Sequence, residues 1–269
     1  MSTFSYAVSD SLTMLRRNAK HALRYPAMTF SVVLMPMMML LLFNYAFGGA
    51  LGAGIAGAPT GGAGTGSGTE YIDYVAPGII LMAATSGAVA TAVGVCVDMT
   101  EGIVNRFRTM SLSRAAFLTG HVVGSTVQTL AAIAVVIVAA VAMGFRPDAS
   151  LVEWAAALGL LTLLTLALTW VSAAVGLIAR TPESASNIPL PLTFLPFLGS
   201  AVVPTDSMPA GLRWFAEYQP FTPVIETLRG LLTGTGIGSS GYVAVAWCAG
   251  LTLAGYLWAR SAFTRTTHR

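Results

Sequence analysis

Six apolar runs alternate with polar or charged interruptions along the chain, at 27–47, 73–97, 122–145, 154–179, 188–203 and 243–259. A helix of about 20 apolar residues crosses a hydrocarbon core, so the pattern predicts six transmembrane helices. Pro36 is expected to kink the first, which membrane helices tolerate when neighbours satisfy the freed carbonyl. The fifth run is short and carries Pro189, Pro191 and Pro196, which makes it the most broken of the six. Ahead of the first run, Phe4, Val8, Leu12 and Leu15 recur at helical spacing and lead into Arg16, Arg17, Lys20 and Arg24. That pattern predicts an amphipathic helix over 3–24 lying at the membrane surface. No small-residue cleavage site follows the first run, so it is expected to be a retained span.

The interruptions differ in kind. Residues 48–69 hold ten of the 28 glycines, with Pro59, and predict a flexible loop. Residues 204–241 mix Trp214, Phe215, Tyr218 and Phe221 with Arg213, Glu217, Glu226 and Arg229, and their apolar stretches are too short to span. They read as interfacial or re-entrant helices packed where the backbone of the fifth run breaks. The longest charged interruption is 98–114, an ordered-looking segment rather than a linker.

Composition agrees. Only 9% of residues are charged and 55% are hydrophobic, whereas a soluble domain carries about 25% charged residues. The chain is an all-α integral membrane protein by this reading, a single domain over 1–269. Eleven of the 14 cationic side chains fall on the N-terminal segment, the 98–121 interruption, the 180–187 turn and the tail. With six spans these share one side, and the positive-inside rule makes that side, and both termini, cytoplasmic. Nothing basic is long enough to follow a phosphate backbone, so nucleic acid is not an expected partner.

Several chemistries lack their residues. A phosphate-binding loop needs G-x-x-x-x-G-K-[ST], but Lys20 is the one lysine and follows Ala19. His21, His121 and His268 lie far apart in sequence, Cys96 and Cys248 sit singly inside apolar runs, and no G-x-S-x-G elbow occurs. No catalytic residue, cofactor or metal site is expected. No carboxylate sits deep in a run, because Asp73 and Asp98 mark the two ends of the second. An ion-gradient-driven secondary transporter usually needs such a group, and it remains the alternative to a machine powered by a partner.

The 98–114 interruption fits a partner. Ile103, Val104, Phe107 and Met110 form an apolar stripe at helical spacing, bracketed by Arg106, Arg108 and Arg114, with Asp98 and Glu101 at its start. A short helix of this kind can seat its stripe in a protein groove while the charges set register. The bland alternative is a basic loop that only fixes topology. Gly120 and Gly124 offer a GxxxG spacing for helix association.

Three segments then resemble a known family in order and spacing. Residues 102–116, GIVNRFRTMSLSRAA, are similar to the signature after the second span of ABC-2 type permeases of the daunorubicin-resistance branch. Residues 197–209, FLGSAVVPTDSMP, resemble the run that closes the fifth span there. Residues 219–229, QPFTPVIETLR, resemble the motif that follows. Ser111 stands where the family often has proline, and the Gly-rich loop is longer than expected.

The resemblance implies a permease subunit of an ATP-driven exporter, without its own nucleotide site, that forms a homodimer and works with a separate ATPase subunit. It implies that 98–116 is a coupling helix, with Glu101, Ile103, Arg106, Phe107, Arg108, Met110 and Arg114 contacting the ATPase. It implies that 204–235 forms external re-entrant helices, with Pro204, Met208, Pro209 and Pro220 at an outer gate. A bacterial inner membrane location and a drug-like or lipid-like amphipathic substrate follow as expectations.

Overall fold

The computed structural model describes residues 26–47, 68–100 and 114–266. The expected helix over 3–24, most of the Gly-rich loop and residues 101–113 lie outside these.

Among the described residues all regular structure is helical. Helix α1 (Pro26–Leu41) opens on a proline, carries Pro36, and continues as a π-helical turn, Leu42–Phe47. Three long helices follow: α2 (Gly68–Thr100), α3 (Arg114–Ala142) and α4 (Leu151–Ile178). Next come two short pieces, α5 (Pro182–Asn187) and α6 (Leu190–Phe194), and a 3₁₀ turn, Leu195–Leu198. Helices α7 (Ala210–Tyr218) and α8 (Phe221–Thr233) form a hairpin, and α9 (Ser240–Thr266) ends the described chain. Helices α2, α3, α4 and α9 are long and apolar enough to cross a membrane, and the apolar part of α1, Val32–Phe47, is shorter. The protein is therefore membrane-integral.

Side-chain contacts fix the directions. Gly87 abuts Thr129 and Gly94 abuts His121, so α2 and α3 run antiparallel. Gly176 meets Ala92 and Val95, while Asp73 accepts the Arg146 amide just before α4, so α2 and α4 run parallel. Trp170 stacks edge-on against Tyr256, and Leu177 clusters with Ala262 and Phe263, so α9 runs parallel to α4. Phe43, late in α1, packs on Phe197, beside the hairpin. The bundle thus has a hairpin end, with α7 and α8, and a handle end, where α2 stops and α3 starts.

The fifth apolar run is not one helix. Prolines 189, 191 and 196 each withhold an amide hydrogen, Pro189 just before α6, Pro191 in the first turn of α6 and Pro196 in the first turn of the 3₁₀ segment, so the run is cut into short pieces. Thr181 caps α5 reciprocally with Ser184, and Pro182 sits at its first turn, where a missing donor costs nothing. The broken segment still travels. Cys96 Sγ donates to the Ala179 carbonyl at 3.7 Å, whereas the Ser200 carbonyl shares a donor with that of Tyr74. Cys96 and Tyr74 are 22 residues apart on α2, about 33 Å at 1.5 Å per residue. That matches the roughly 30 Å of a hydrocarbon core. Along the way α5, α6 and the 3₁₀ turn all pack on α2.

Helix α2 is the centre of this arrangement. Its apolar window is 72% buried, as is that of α4, against 39% for α3 and 22% for α9. Lipid tails are as apolar as leucine, so helices in a bilayer associate through close van der Waals packing rather than apolar burial. Small residues allow it. A Cβ at Gly78 would sit 2.6 Å from that of Ala201, and one at Gly176 would sit 2.5 Å from the Ala92 carbonyl oxygen. Gly120 and Gly124 are both buried within the subunit.

Candidate functional site

The residues expected to act fall at the two ends of the bundle. At the handle end, Glu101, Ile103, Arg106, Phe107, Arg108 and Met110 lie outside the described residues, and Arg114 is the first residue of α3. Behind them the structure shows a pair that sequence spacing did not join. His121 Nδ1 on α3 stands 3.6 Å from Asp98 Oδ2 on α2, with side chains 13% and 16% exposed. The imidazole lies over Gly94, where a Cβ would sit 3.5 Å from Nε2. The two residues are 23 apart in sequence, and antiparallel packing of α2 on α3 brings them together. Among the described residues no group of three His, Cys, Asp or Glu side chains can hold a metal ion.

At the hairpin end, Pro204, Met208 and Pro209 line the connection into α7. The Pro204 carbonyl accepts from the Ser207 amide at 3.1 Å and hydroxyl at 2.7 Å, and the Met208 amide donates to Thr205 at 3.1 Å. Pro209 precedes α7 and accepts from the Arg213 amide at 2.9 Å. Pro220 stands at the far end of α7, so the nine residues of that helix, about 14 Å, separate it from the other three. Helix α7 is exposed except at Ala216. Its Arg213 bridges Asp206 at 2.6 Å and Glu217 at 2.7 Å, and these acceptors, Glu217 first, raise the pKa of the guanidinium. Exposed ion pairs of this kind contribute little, because water and salt screen them, so they order the α7 surface without anchoring it.

Anchoring falls to α8, which buries Phe221, Val224, Ile225, Leu228, Leu231 and Leu232. The sequence grouped Arg229 with the outer charges, but the fold turns it inward. Its Nε and Nη2 each donate to the Tyr74 carbonyl at 3.2 Å, and Nη2 donates to the Ser200 carbonyl at 2.6 Å. The guanidinium carbon lies 3.8 Å from the centroid of the Tyr74 ring. Loss of water lowers the pKa of Arg229, while Tyr74 and Glu226 act the other way. Hydrogen bonds to a charged group contribute about 1.5–3 kcal/mol each and a cation over a tyrosine face about 0.5–2 kcal/mol. Two further bonds reinforce the site: the Asp148 amide donates to the Leu232 carbonyl at 3.0 Å, and the Arg146 amide donates to the Asp73 carboxylate Oδ1 at 3.1 Å.

The interior is polar at few points. The hydroxyls of Thr85, Thr91, Thr126, Thr165 and Thr227 each donate to a carbonyl one turn back, which satisfies them within their own helices. Tyr71 Oη, Ser172 Oγ, Ser200 Oγ and Gln219 Oε1 are buried with no hydrogen-bond partner among the described residues. Gln219 Nε2 donates to Thr222 Oγ1 at 3.3 Å, and both side chains crowd Gly199, which leaves no room for a Cβ there.

Comparison with known proteins decides the family. The profile of the ABC-2 type transporter matches residues 10–233. The chain belongs to the ABC-2 type transporter family. Within it, a daunorubicin resistance ABC transporter permease protein of Streptomyces coeruleorubidus is 28% identical over 230 residues, 85% of this chain and 77% of that protein. A probable doxorubicin resistance ABC transporter permease protein of Mycobacterium tuberculosis, found in two strains, is 23% identical over 177 residues, 66% of this chain and 64% of that protein.

The family resemblance carried by the three motifs is thereby borne out. In this ABC-2 protein the second motif supplies Ser200 and Ala201, and the third supplies Arg229. The structure brings them together on the Tyr74–Gly78 turn of α2. An arginine on the same stripe as Ile225 and Leu232 was the available signal, since a charge on an apolar helical face requires a dedicated acceptor set. For His121 and Asp98 no such signal existed.

Proposed function

We propose that this chain is the permease subunit of an ATP-driven ABC exporter, moving a drug-like or lipid-like amphipathic substrate with the help of a separate ATPase subunit. The carrying observation is family membership across residues 10–233, joined to its likeness to permease proteins of drug resistance transporters. Energy enters from outside the chain on this reading, because the lone lysine, Lys20, does not follow a glycine and no Walker A loop can be written.

Six crossings complete the reading. The four long helices and α1 supply five, and the broken segment 179–200, which runs the length of α2 from Cys96 to Tyr74, supports the sixth. The handle end then faces the cytoplasm of a bacterial cell with both termini, following the arginine distribution. Helices α7 and α8 become external re-entrant elements, since 9 and 13 residues reach only about 14 and 20 Å. Glu101, Ile103, Arg106, Phe107, Arg108, Met110 and Arg114 dock on the ATPase, and Pro204, Met208, Pro209 and Pro220 frame the outer gate. A homodimer supplies two such docking segments. ATP binding draws them together and favours one of two conformations, which requires differential affinity of the ATPase for those states.

The test is reconstitution with a separate ABC ATPase subunit. A stable complex whose ATP hydrolysis depends on the permease is expected. Failure to form a complex, with hydrolysis unchanged by the permease, rejects the assignment.

A further inference from the structure

We propose that Arg229 is a positioning residue for transport: it locks α8 and the 199–201 backbone onto the Tyr74–Gly78 turn of α2, so that the hairpin end moves only when α2 moves. This rests on the permease reading given above. Three observations carry it.

The first is the acceptor set. Arg229 spans three elements that are distant in sequence, with its own Cα on α8, the Tyr74 carbonyl on α2 and the Ser200 carbonyl on the connection. A planar fork with delocalised charge suits two diverging carbonyls and a ring face, which a lysine point charge does not reproduce.

The second is where the lock closes. Pro77 lies inside α2 and removes the amide that would bond the Asp73 carbonyl. That carbonyl belongs to the turn next to Tyr74. The guanidinium therefore binds α2 at the turn where its own hydrogen-bond ladder is interrupted and where bending is easiest. Four residues after Tyr74, Gly78 lets Ala201 approach too closely for any side chain, so Ser200 and Ala201 are held on the same turn by charge and by contact.

The third is the span of α2. Its other end, Asp98, is paired with His121 beside the 101–113 stretch. From Tyr74 to Asp98 the helix is continuous, its close contacts at Gly78, Gly87 and Gly94 facing Ala201, Thr129 and His121. A displacement at the handle end is thus carried along one continuous helix to the turn that Arg229 grips. Helix α7, exposed except at Ala216, is the part left free to swing about Gln219 and Pro220.

The experiment uses the full chain with its ATPase in proteoliposomes, comparing wild type, Arg229→Lys and Arg229→Gln. Ser207 lies exposed on the connection, and Ser207→Cys reports that segment through labelling by a membrane-impermeant maleimide. Hydrogen exchange over 199–233 is measured on the permease alone. Arg229→Gln is expected to keep complex formation and ATP hydrolysis within twofold of wild type. Transport per ATP is expected to fall at least tenfold, the ATP-dependent change in labelling at position 207 to disappear, and exchange to rise over 199–203 and 221–233. Arg229→Lys is expected to fall between the two. A variant that merely misfolds lowers hydrolysis stimulation and transport together, which the unchanged ratio exposes as a structural effect and which overturns the proposal. Unchanged exchange in Arg229→Gln overturns the lock itself. Raised exchange with an unchanged ratio overturns its role in transport. If the wild-type chain binds no ATPase, the permease reading fails instead, and the exchange arm still decides the lock.

Discussion

At the scale of residues, glycine and arginine set the limits of this fold. The glycines of α2 and α4 act through the space they leave empty. Gly78→Val and Gly176→Val force side-chain atoms into Ala201 and into the Ala92 carbonyl, respectively. Overpacking of this kind costs about 1–3 kcal/mol, so both variants are expected to lower the thermal midpoint in detergent. Gly250→Ala in α9, where a Cβ meets nothing within 4 Å, is the matched control and is expected to leave the midpoint unchanged or slightly raised, since alanine favours helix by about 1 kcal/mol. Equal midpoints for all three would show that α2 is not the tightly packed centre. The proposed docking residues belong to this scale too. Arg106→Glu and Phe107→Asp are expected to abolish transport while membrane insertion and protein level stay normal, and unchanged transport in both rejects their role in docking. The sequence marks these residues as an apolar stripe between arginines. It does not mark the inward turn of Arg229, because a helical stripe says which residues share a face but not which carbonyls that face will meet.

At the scale of elements, apolar runs and helices overlap without sharing ends. The second run covers 73–97 and α2 spans Gly68–Thr100; the fourth covers 154–179 and α4 spans Leu151–Ile178. Differences arose at ends. The third and sixth helices extend well into charged sequence, since α3 starts at Arg114 and α9 reaches Thr266. A hydropathy window sees where apolar residues stop, whereas the backbone ladder continues as long as water or headgroups satisfy the side chains. Prolines marked the fifth run as broken, but not where the pieces would lie. The His121–Asp98 pair is a second element-level consequence, clasping α2 to α3 where the 101–113 stretch leaves and returns. Asp98→Ala is expected to raise hydrogen exchange in the last turn of α2 and the first turns of α3, and the exchanged pair Asp98→His with His121→Asp to restore protection. Equal exchange in wild type and Asp98→Ala would mean that the two helices are held there by packing alone.

At the scale of the whole molecule, the proposed sidedness rests on charge and the hairpin on packing. Impermeant maleimide added to intact cells is expected to label Ser207→Cys and Ser239→Cys but to reach Thr109→Cys only after permeabilisation. The native cysteines are buried and give little background. Labelling of Thr109→Cys from outside, with Ser207→Cys protected, reverses the proposed orientation.

What the sequence determined by itself was class, and it singled out the handle. Class follows because 9% charged residues are too few to face water. An external power source is the reading because a phosphate loop cannot be written around Lys20, and the handle stood out as the longest charged interruption between apolar runs. These are local properties, fixed by residue type and spacing. Tertiary structure alone decided that α2 is the common neighbour of the bundle, that the broken fifth run follows it from one end to the other, and that Arg229 closes on Tyr74 and Ser200. Each depends on the distance between residues far apart in the chain. In a bilayer that distance is set by how closely backbones can approach, through residues such as Gly78, Gly87 and Gly176, rather than by hydrophobicity, which the lipid matches.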